Sequence, residues 1–173
     1  EQARSRLAQL SAIVESSEDA IAAVTFDGIV TSWNRGATKL YGYTPEEVIG
    51  KANSSILHTQ EDIAGGKPAQ VMAAALQFGK WEGTIARVRK NGDQFTARVV
   101  ITPRRDGNGK PIGYLLISKD ITDEIRLTEE LKATQFYTRS LIESNIDALM
   151  TTDPIGTITD VNQQMAALTG YSR

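Results

Sequence analysis

The chain of 173 residues contains no cysteine and a single histidine. Without cysteine there can be no disulfide, thiolate metal site or cysteine nucleophile, and this composition is typical of a reducing compartment, so we expect a cytoplasmic location. The histidine is His58, and no serine lies in a nucleophile-elbow or lysine-paired motif. The sequence therefore shows no parts of an acyl-transfer triad, and we expect that this chain is not itself an enzyme.

Long apolar runs and an excess of one charge sign are also missing. No run approaches the roughly 20 apolar residues that span a bilayer, and the polar start Glu1-Gln2-Ala3-Arg4 does not resemble a signal peptide. Lysine and arginine number 19 against 21 aspartate and glutamate, which gives no field for phosphate backbones or anionic lipid. We expect no nucleic-acid partner and no direct membrane contact. The 40% of hydrophobic residues suffices for a packed globular core.

An internal repeat organises the chain. At an offset of 128 residues, 14–45 aligns with 142–173 without gaps, and 10 of the 32 pairs are identical. The identical pairs fall on turn and cap positions, for example Gly28 with Gly156 and Asn34 with Asn162, where backbone geometry restricts the choice of residue. The sequence therefore predicts one complete unit followed by the truncated start of a second.

Turn and cap signals divide the first unit into two strands, several short helices and three further strands. Asp27-Gly28 and Asn91-Gly92 are typical of hairpins, and Asn34 is placed to cap a short helix. Thr44-Pro45-Glu46-Glu47 has the threonine, proline and glutamate of a capping box. The predicted strands are 20–25, 29–33, 84–89, 95–102 and 114–119, with a helix over 69–78.

A longer helix is predicted from Asp120 to about Ser144, because glycine and proline vanish there. Alternating spacings of four and three residues along it are typical of a weak coiled-coil seam with polar positions. The seam consists of Leu127, Leu131, Thr134, Thr138, Leu141 and Asn145. Together with an N-terminal helix face formed by Leu7, Leu10 and Val14, it predicts that the chain is a homodimer.

The order and spacing of several short motifs carry a family resemblance. They are Asp19-Ala20-Ile21, Asp27-Gly28-Ile29-Val30, Trp33-Asn34, Leu40-Tyr41-Gly42-Tyr43, Gly79-Lys80-Trp81-Glu82-Gly83, Arg89-Lys90-Asn91-Gly92, Phe95, Pro103, Gly113-Tyr114 and Lys119-Asp120-Ile121-Thr122. Together they resemble the PAS family of sensor domains over about residues 8–124, and the start of a second copy over 139–173. The resemblance implies an α+β fold, a five-stranded antiparallel sheet with short helices on one face and a small apolar pocket.

The repeat and the resemblance together predict four segments. An N-terminal flanking helix covers 1–15, a PAS domain 16–120, a signalling linker helix 121–144 and the start of a second PAS domain 145–173. Asp120 and Thr122 join the last strand to the linker, and we expect them to relay a signal. Asp120 is expected to accept hydrogen bonds or pair with a cation, and either residue to cap the helix.

A small-molecule pocket is expected between the sheet and the helices. The expected lining is Trp33, Leu40, Met72, Leu76, Ile85, Arg87, Ala97, Val99, Leu116 and Ser118. If Arg87 points inward, it needs a carboxylate from the protein or from a ligand, because an unpaired buried guanidinium is costly. The favoured alternative places Arg87 at the solvated end of its strand.

The resemblance also bears on cofactors. Photoactive flavin-binding relatives need a cysteine near Gly50-Lys51-Ala52-Asn53, so a cysteinyl photocycle is excluded. Flavin-binding relatives tend to place asparagine or glutamine where this chain has Arg87, Ala97 and Ser118. Because Trp81-Glu82-Gly83 still resembles members that bind flavin-adenine dinucleotide, a flavin-binding redox sensor stays open as a minority alternative.

Haem is disfavoured. Haem-binding relatives take their axial histidine from the helix predicted over 69–78, which has none, and Met72 would be a weak ligand. His58 lies in a loop before that helix and is expected at the surface. We therefore expect no flavin or haem in this chain, and a small-molecule ligand of unknown identity.

The resemblance implies a module for signal input and relay. Its output domain is expected downstream in the same parent chain and is most often a histidine kinase of a two-component system, while a diguanylate cyclase or a transcription factor stays open. The competing hypothesis is a structural dimerisation module with a packed core and no ligand. A ligand bound to the purified chain would separate the two.

Overall fold

The computed structural model describes residues 2–171, with residues 3, 4 and 7 described by their backbone alone. The chain divides into two compact units, of which the first ends at Thr122 and the second begins at Asp123. No helix in the described range is long and apolar enough to cross a membrane.

The first unit is a five-stranded sheet with helices. Its helices are α1 (Gln2–Ser16), α2 (Arg35–Tyr41), α3 (Pro45–Val48), α4 (Gln60–Ala64) and α5 (Lys67–Phe78), with a 3₁₀ turn at Ser54–Leu57. Its strands are β1 (Ala20–Val24), β2 (Val30–Trp33), β3 (Trp81–Val88), β4 (Gln94–Arg105) and β5 (Pro111–Asp120). The strand order is β2-β1-β5-β4-β3, and every neighbouring pair is antiparallel. The predicted α+β fold is confirmed.

One asparagine joins α1, β1 and α2 of this unit. Asn34, which is buried, caps α2 by accepting the N–H of Ala37 at 2.8 Å, and the same oxygen accepts the N–H of Ile21 at 2.8 Å. Its amide nitrogen donates to the carbonyls of Val14 and Asp19 at 2.9 and 3.0 Å. The end of α1 is therefore bonded directly to β1 and α2.

Other local signals also act as the sequence predicts. The capping box forms at the start of α3, where the carboxylate of Glu47 accepts the N–H of Thr44 at 2.9 Å. The Asn91-Gly92 turn connects β3 and β4. The structure differs at Trp81, where β3 begins three residues before the predicted strand, because Trp81 pairs with Ile101 of the long strand β4. It also contains α4, which the sequence does not predict.

The second unit repeats the opening elements of the first. It consists of α6 (Thr122–Ser144, whose first residue belongs to the first unit), β6 (Met150–Thr152), β7 (Ile158–Val161) and α7 (Gln163–Thr169). Asn162 accepts the N–H groups of Leu149 and Met165 and donates to the carbonyls of Ile142 and Asp147, at 2.8 to 3.2 Å. Each partner lies 128 residues beyond the corresponding partner in the first unit, so the sequence repeat is also a repeat of hydrogen bonds.

Three side chains lie elsewhere than expected. Leu76 is 38% exposed, because Val71 and Ala75 occupy the buried face of α5, so Leu76 does not belong to the core. Arg87 is only 1% exposed, because β3 alternates and Arg87 shares the inward face with Ile85. The expectation of a solvated strand end for Arg87 is therefore wrong.

His58 is also buried, at 5% exposure, so its expected surface position is wrong. The loop after the 3₁₀ turn runs along β3, and His58 forms an isolated antiparallel bridge with Arg87. Burial and, after it, the charge of Arg87 lower the pKa of His58 to about 3; Asp62 opposes this shift and Lys67 adds to it. His58 is therefore neutral in the folded protein at pH 7.

The burial of His58 predicts that the folded protein loses stability in mild acid. The folded pKa lies below the unfolded value of about 6.5, so the stabilisation is complete above pH 6.5 and is lost as the pH falls towards 3. Between pH 7 and 5.5 we expect the free energy of unfolding, measured with urea, to fall by about 1 kcal/mol. Carboxylates titrate lower, and His58 is the one histidine. His58→Gln should flatten this slope, and an equal slope in the variant would refute the assignment.

Candidate functional site

The expected pocket residues fall into three groups. Those that are buried, none more than 4% exposed, are Trp33, Ile85, Arg87, Ala97, Val99, Leu116 and Ser118. Leu40 and Met72 are half-buried and pack against this core, whereas Leu76 lies at the surface. The structure thus brings most of the predicted set into the core between the sheet and the helices, with Arg87 and Ser118 as its polar members.

Arg87 is the most unusual side chain of this core. None of its three guanidinium nitrogens has a hydrogen-bond partner among the described residues. Burial lowers the pKa of Arg87, and the nearby Tyr41 and Asp62 oppose that shift. A guanidinium keeps its charge in proteins, and an uncompensated buried charge costs several kcal/mol. A site with this feature requires an explanation beyond packing.

Three further buried polar atoms that have no hydrogen-bond partner within residues 2–171 belong to residues that interact electrostatically with Arg87. They are the hydroxyl of Tyr41, Nδ1 of His58 and Oδ2 of Asp62. The charge of Arg87 acts on the pKa of His58, and Tyr41 and Asp62 act on that of Arg87. We call these four residues the Arg87 cluster. Sequence reasoning missed Tyr41 and Asp62 and misplaced His58.

Local structure assembles this cluster from three elements. Tyr41 ends α2, and its ring lies 5.7 Å from that of Trp33. Thr59 caps α4 by accepting the N–H of Asp62 at 3.1 Å, which places Asp62 in the first turn just after His58. The sequence signal for this cap is a threonine three residues before an aspartate.

A groove of about 540 Å³ adjoins the cluster at the surface. His58 and Asp62 belong to both, and Lys67 adds a positive charge to the groove, with its Nζ 3.4 Å from Oδ1 of Asp62. The β3 residues that line the groove are Ala86 and Val88, which alternate with the inward-facing Arg87. Two side chains of the cluster are thus accessible from a groove of ligand size.

A second polar arrangement lies where β5 leads into α6. Asp120 pairs with Arg89, with Nη2 2.5 Å from Oδ2, and its other oxygen accepts the N–H of Thr122 at 2.9 Å. The hydroxyl of Thr122 in turn accepts the N–H of Thr96 on β4 at 3.0 Å. Burial raises the pKa of Asp120, but the hydrogen bonds from Thr122 and Arg89 outweigh it and hold the pKa below its usual range. The first residue of α6 is therefore tied to the sheet.

The other end of α6 is tied within the second unit. Glu143 accepts the N–H of Gln163 at 2.7 Å, and Arg139 pairs with Asp160, with Nη1 2.7 Å from Oδ2. Glu15 makes the equivalent bond to Arg35 in the first unit. The last turns of α6 therefore connect to the second unit, and Glu143 does so in the same way as Glu15 of α1 does in the first.

The core does not match the cofactors considered from the sequence. Of Arg87, Ala97 and Ser118, alanine cannot hydrogen-bond a flavin ring through its side chain, and neither of the others is an amide. The helix α5 has no histidine for haem. Within residues 2–171 no group of three histidine, aspartate or glutamate side chains is arranged to hold a metal ion.

Comparisons with known proteins agree with the fold. Family models described as PAS domain match residues 18–123 and again residues 137–173. The crystal structure of a PAS domain from Colwellia psychrerythraea is 31% identical, with a TM-score of 0.63, and the match covers 68% of this chain and 98% of that one.

Curated relatives are much longer than this chain. Two-component system protein A of Emericella nidulans is 38% identical over 96 residues, which is 56% of this chain and 14% of that protein. Phytochrome C of Arabidopsis thaliana is 25% identical over 169 residues, or 93% of this chain and 15% of that protein. The chain thus spans about a seventh of the length of these relatives. Its sheet order, its two family matches and its likeness to solved PAS domains show that the chain belongs to the PAS domain family, as a PAS sensor domain followed by the opening elements of a second.

Proposed function

We propose that this chain is a signal-input and relay module of a larger signalling protein, a two-component sensor histidine kinase. The first unit senses a small molecule, and α6 carries the resulting change towards an output domain; the chain itself has no catalytic role. The kinase assignment is supported by the similarity to a two-component system protein over 56% of this chain. A location in the cytoplasm is part of the same proposal, since the chain contains no cysteine.

The attachment of α6 at both ends is the observation that carries this proposal. Its first residue is bonded to Asp120 and Thr96 in the first unit. At its other end, Glu143 and Arg139 bond to Gln163 and Asp160 in the second unit. A helix with fixed ends transmits rotation or fraying, whereas a flexible linker does not.

The strand β3 links the Arg87 cluster to this attachment. Arg89, which pairs with Asp120, lies two residues after Arg87 and also donates to the carbonyl of Leu40. The next residue, Lys90, donates its N–H to the carbonyl of Tyr41 at 2.8 Å. A change at the cluster can therefore reach Asp120 through one strand and the end of α2.

We also propose that the module is a homodimer through α6 and α1. No described residue of α6 is buried within the chain, and the seam leucines Leu127, Leu131 and Leu141 are 53 to 59% exposed. On α1, Leu10 and Val14 are also exposed, while the side chain of Leu7 lies outside the described residues. Heptad spacing matches an apolar seam to a second copy of the same helix, and the polar threonines keep that pairing weak enough to shift.

The relay proposal predicts that Asp120→Ala loosens the start of α6. Removing both bonds of this carboxylate should speed amide hydrogen exchange over residues 122–130 about tenfold, while the sheet keeps its protection. Asp106→Ala is the matched control, because Asp106 also accepts backbone N–H groups, but in the β4–β5 turn. In the intact parent, Asp120→Ala should also uncouple the output. Exchange in α6 equal to that of wild type would contradict the relay.

The dimer proposal predicts a particle of twice the 18.9 kDa chain mass. Light scattering at tens of micromolar, a range suited to weak self-association, should report it. Leu131→Glu should shift the protein to monomer, because it places two like charges across the seam. Phe78→Glu is the control, since Phe78 is 75% exposed on α5, outside the proposed interface. A monomeric wild-type chain would rule out this assembly.

A further inference from the structure

We propose that the Arg87 cluster binds a small carboxylate that also carries a hydroxyl group. The inference deepens the proposed sensor function and rests on it. Among the described residues, the buried Tyr41, His58 and Arg87 and the partly exposed Asp62 lack complete hydrogen bonding; they lie together in the sensor unit, and two of them adjoin a surface groove.

The charges of the cluster require one added negative charge. Arg87 remains protonated, because a guanidinium does not lose its proton in proteins. The negative charge of Asp62 is already matched by Lys67 at 3.4 Å. His58 is neutral at pH 7, since its pKa is about 3. One positive charge is therefore left without a counterpart, and a monoanion compensates it.

The hydrogen-bonding groups define the chemistry of that anion. A guanidinium presents parallel N–H groups that match the two oxygens of a carboxylate, and the hydroxyl of Tyr41 can donate as well. Oδ2 of Asp62, in contrast, is an acceptor and needs a donor. A carboxylate with a hydroxyl group satisfies both needs at once, whereas a simple carboxylate leaves Asp62 unsatisfied.

An internal partner is the competing explanation. Asp62 could turn towards Arg87 and give up Lys67, which would neutralise Arg87 without any ligand. In the structure, however, Arg87 and Oδ2 of Asp62 are both buried and both without partners, so they do not bond to each other. The donors of Arg87 and the acceptor of Asp62 are therefore both left to a third group.

The groove gives a small acid a route from solvent towards Arg87. His58 and Asp62 lie between the groove and the buried guanidinium, because both residues line the groove and Arg87 does not. They belong to one short segment that follows the 3₁₀ turn and begins α4. A movement of this segment would admit a small acid, and binding would hold it closed.

Thermal unfolding of the chain with sodium glycolate, against sodium chloride at equal ionic strength, tests the proposal. We expect 10 mM glycolate to raise Tm by roughly 5 °C, and acetate, which lacks the hydroxyl, to raise it by less. Arg87→Met should abolish the shift, and in the absence of glycolate it should be at least as stable as wild type, because an unpaired buried charge is gone. Arg105→Met, an exposed arginine on β4, should respond as wild type does.

A second variant keeps the test independent of how Arg87→Met folds. Tyr41→Phe removes one unpartnered hydroxyl and little volume, so it should leave the unliganded protein stable and weaken glycolate binding about tenfold. Isothermal titration of wild type and Tyr41→Phe with glycolate measures that change. Equal affinity in both proteins would place the anion elsewhere and overturn the proposal.

Three further results would also overturn it. Inorganic phosphate as effective as glycolate would exclude the carboxylate assignment. A strongly destabilised Arg87→Met together with no glycolate effect on wild type would mean that Asp62 is the partner of Arg87. No response to glycolate, while Asp120→Ala still loosens α6, would remove the ligand class and leave the relay in place.

Discussion

In each unit a single buried amide with four hydrogen bonds joins the preceding helix to the first strand and to the helix that the amide caps. Asn34 bonds the end of α1 to β1 and α2, and Asn162 repeats the same four bonds 128 residues later. Because a buried amide is costly when unsatisfied, the position of the preceding helix follows from the position of the sheet. The helix α6 begins at the last residue of the first unit, and its end is the helix that Asn162 bonds in the second.

Local signals in the sequence were enough to predict the helix caps and the hairpin turn. Asn34, the box of Thr44 and Glu47 and the Asn91-Gly92 turn each depend on residues within a few positions, so their geometry can be inferred without the rest of the chain. The start of β3 at Trp81 could not be inferred in this way, because it depends on pairing with a distant strand. The short helix α4 has too few residues for a periodic pattern.

The candidate site was harder to predict, because burial of polar groups depends on tertiary contacts. Alternation along β3 puts Arg87 on the same face as Ile85, but the burial of this end of the strand also depends on the loop that carries His58 past it. Tyr41 was noted as part of a motif, but its unpaired hydroxyl is visible only beside Arg87. The position of Asp120 was easier to predict, since Thr122 and the start of α6 are close to it in sequence.

The central claim is that occupancy of the Arg87 cluster is felt by α6, through β3, Arg89 and Asp120. Hydrogen exchange of the wild-type chain with and without 10 mM glycolate measures this most directly. Coupling predicts altered protection in two separated regions, the segment from His58 to Asp62 and the first turns of α6, which lies outside the site. Glycolate that protects the former and leaves residues 122–144 unchanged would show that binding occurs without relay.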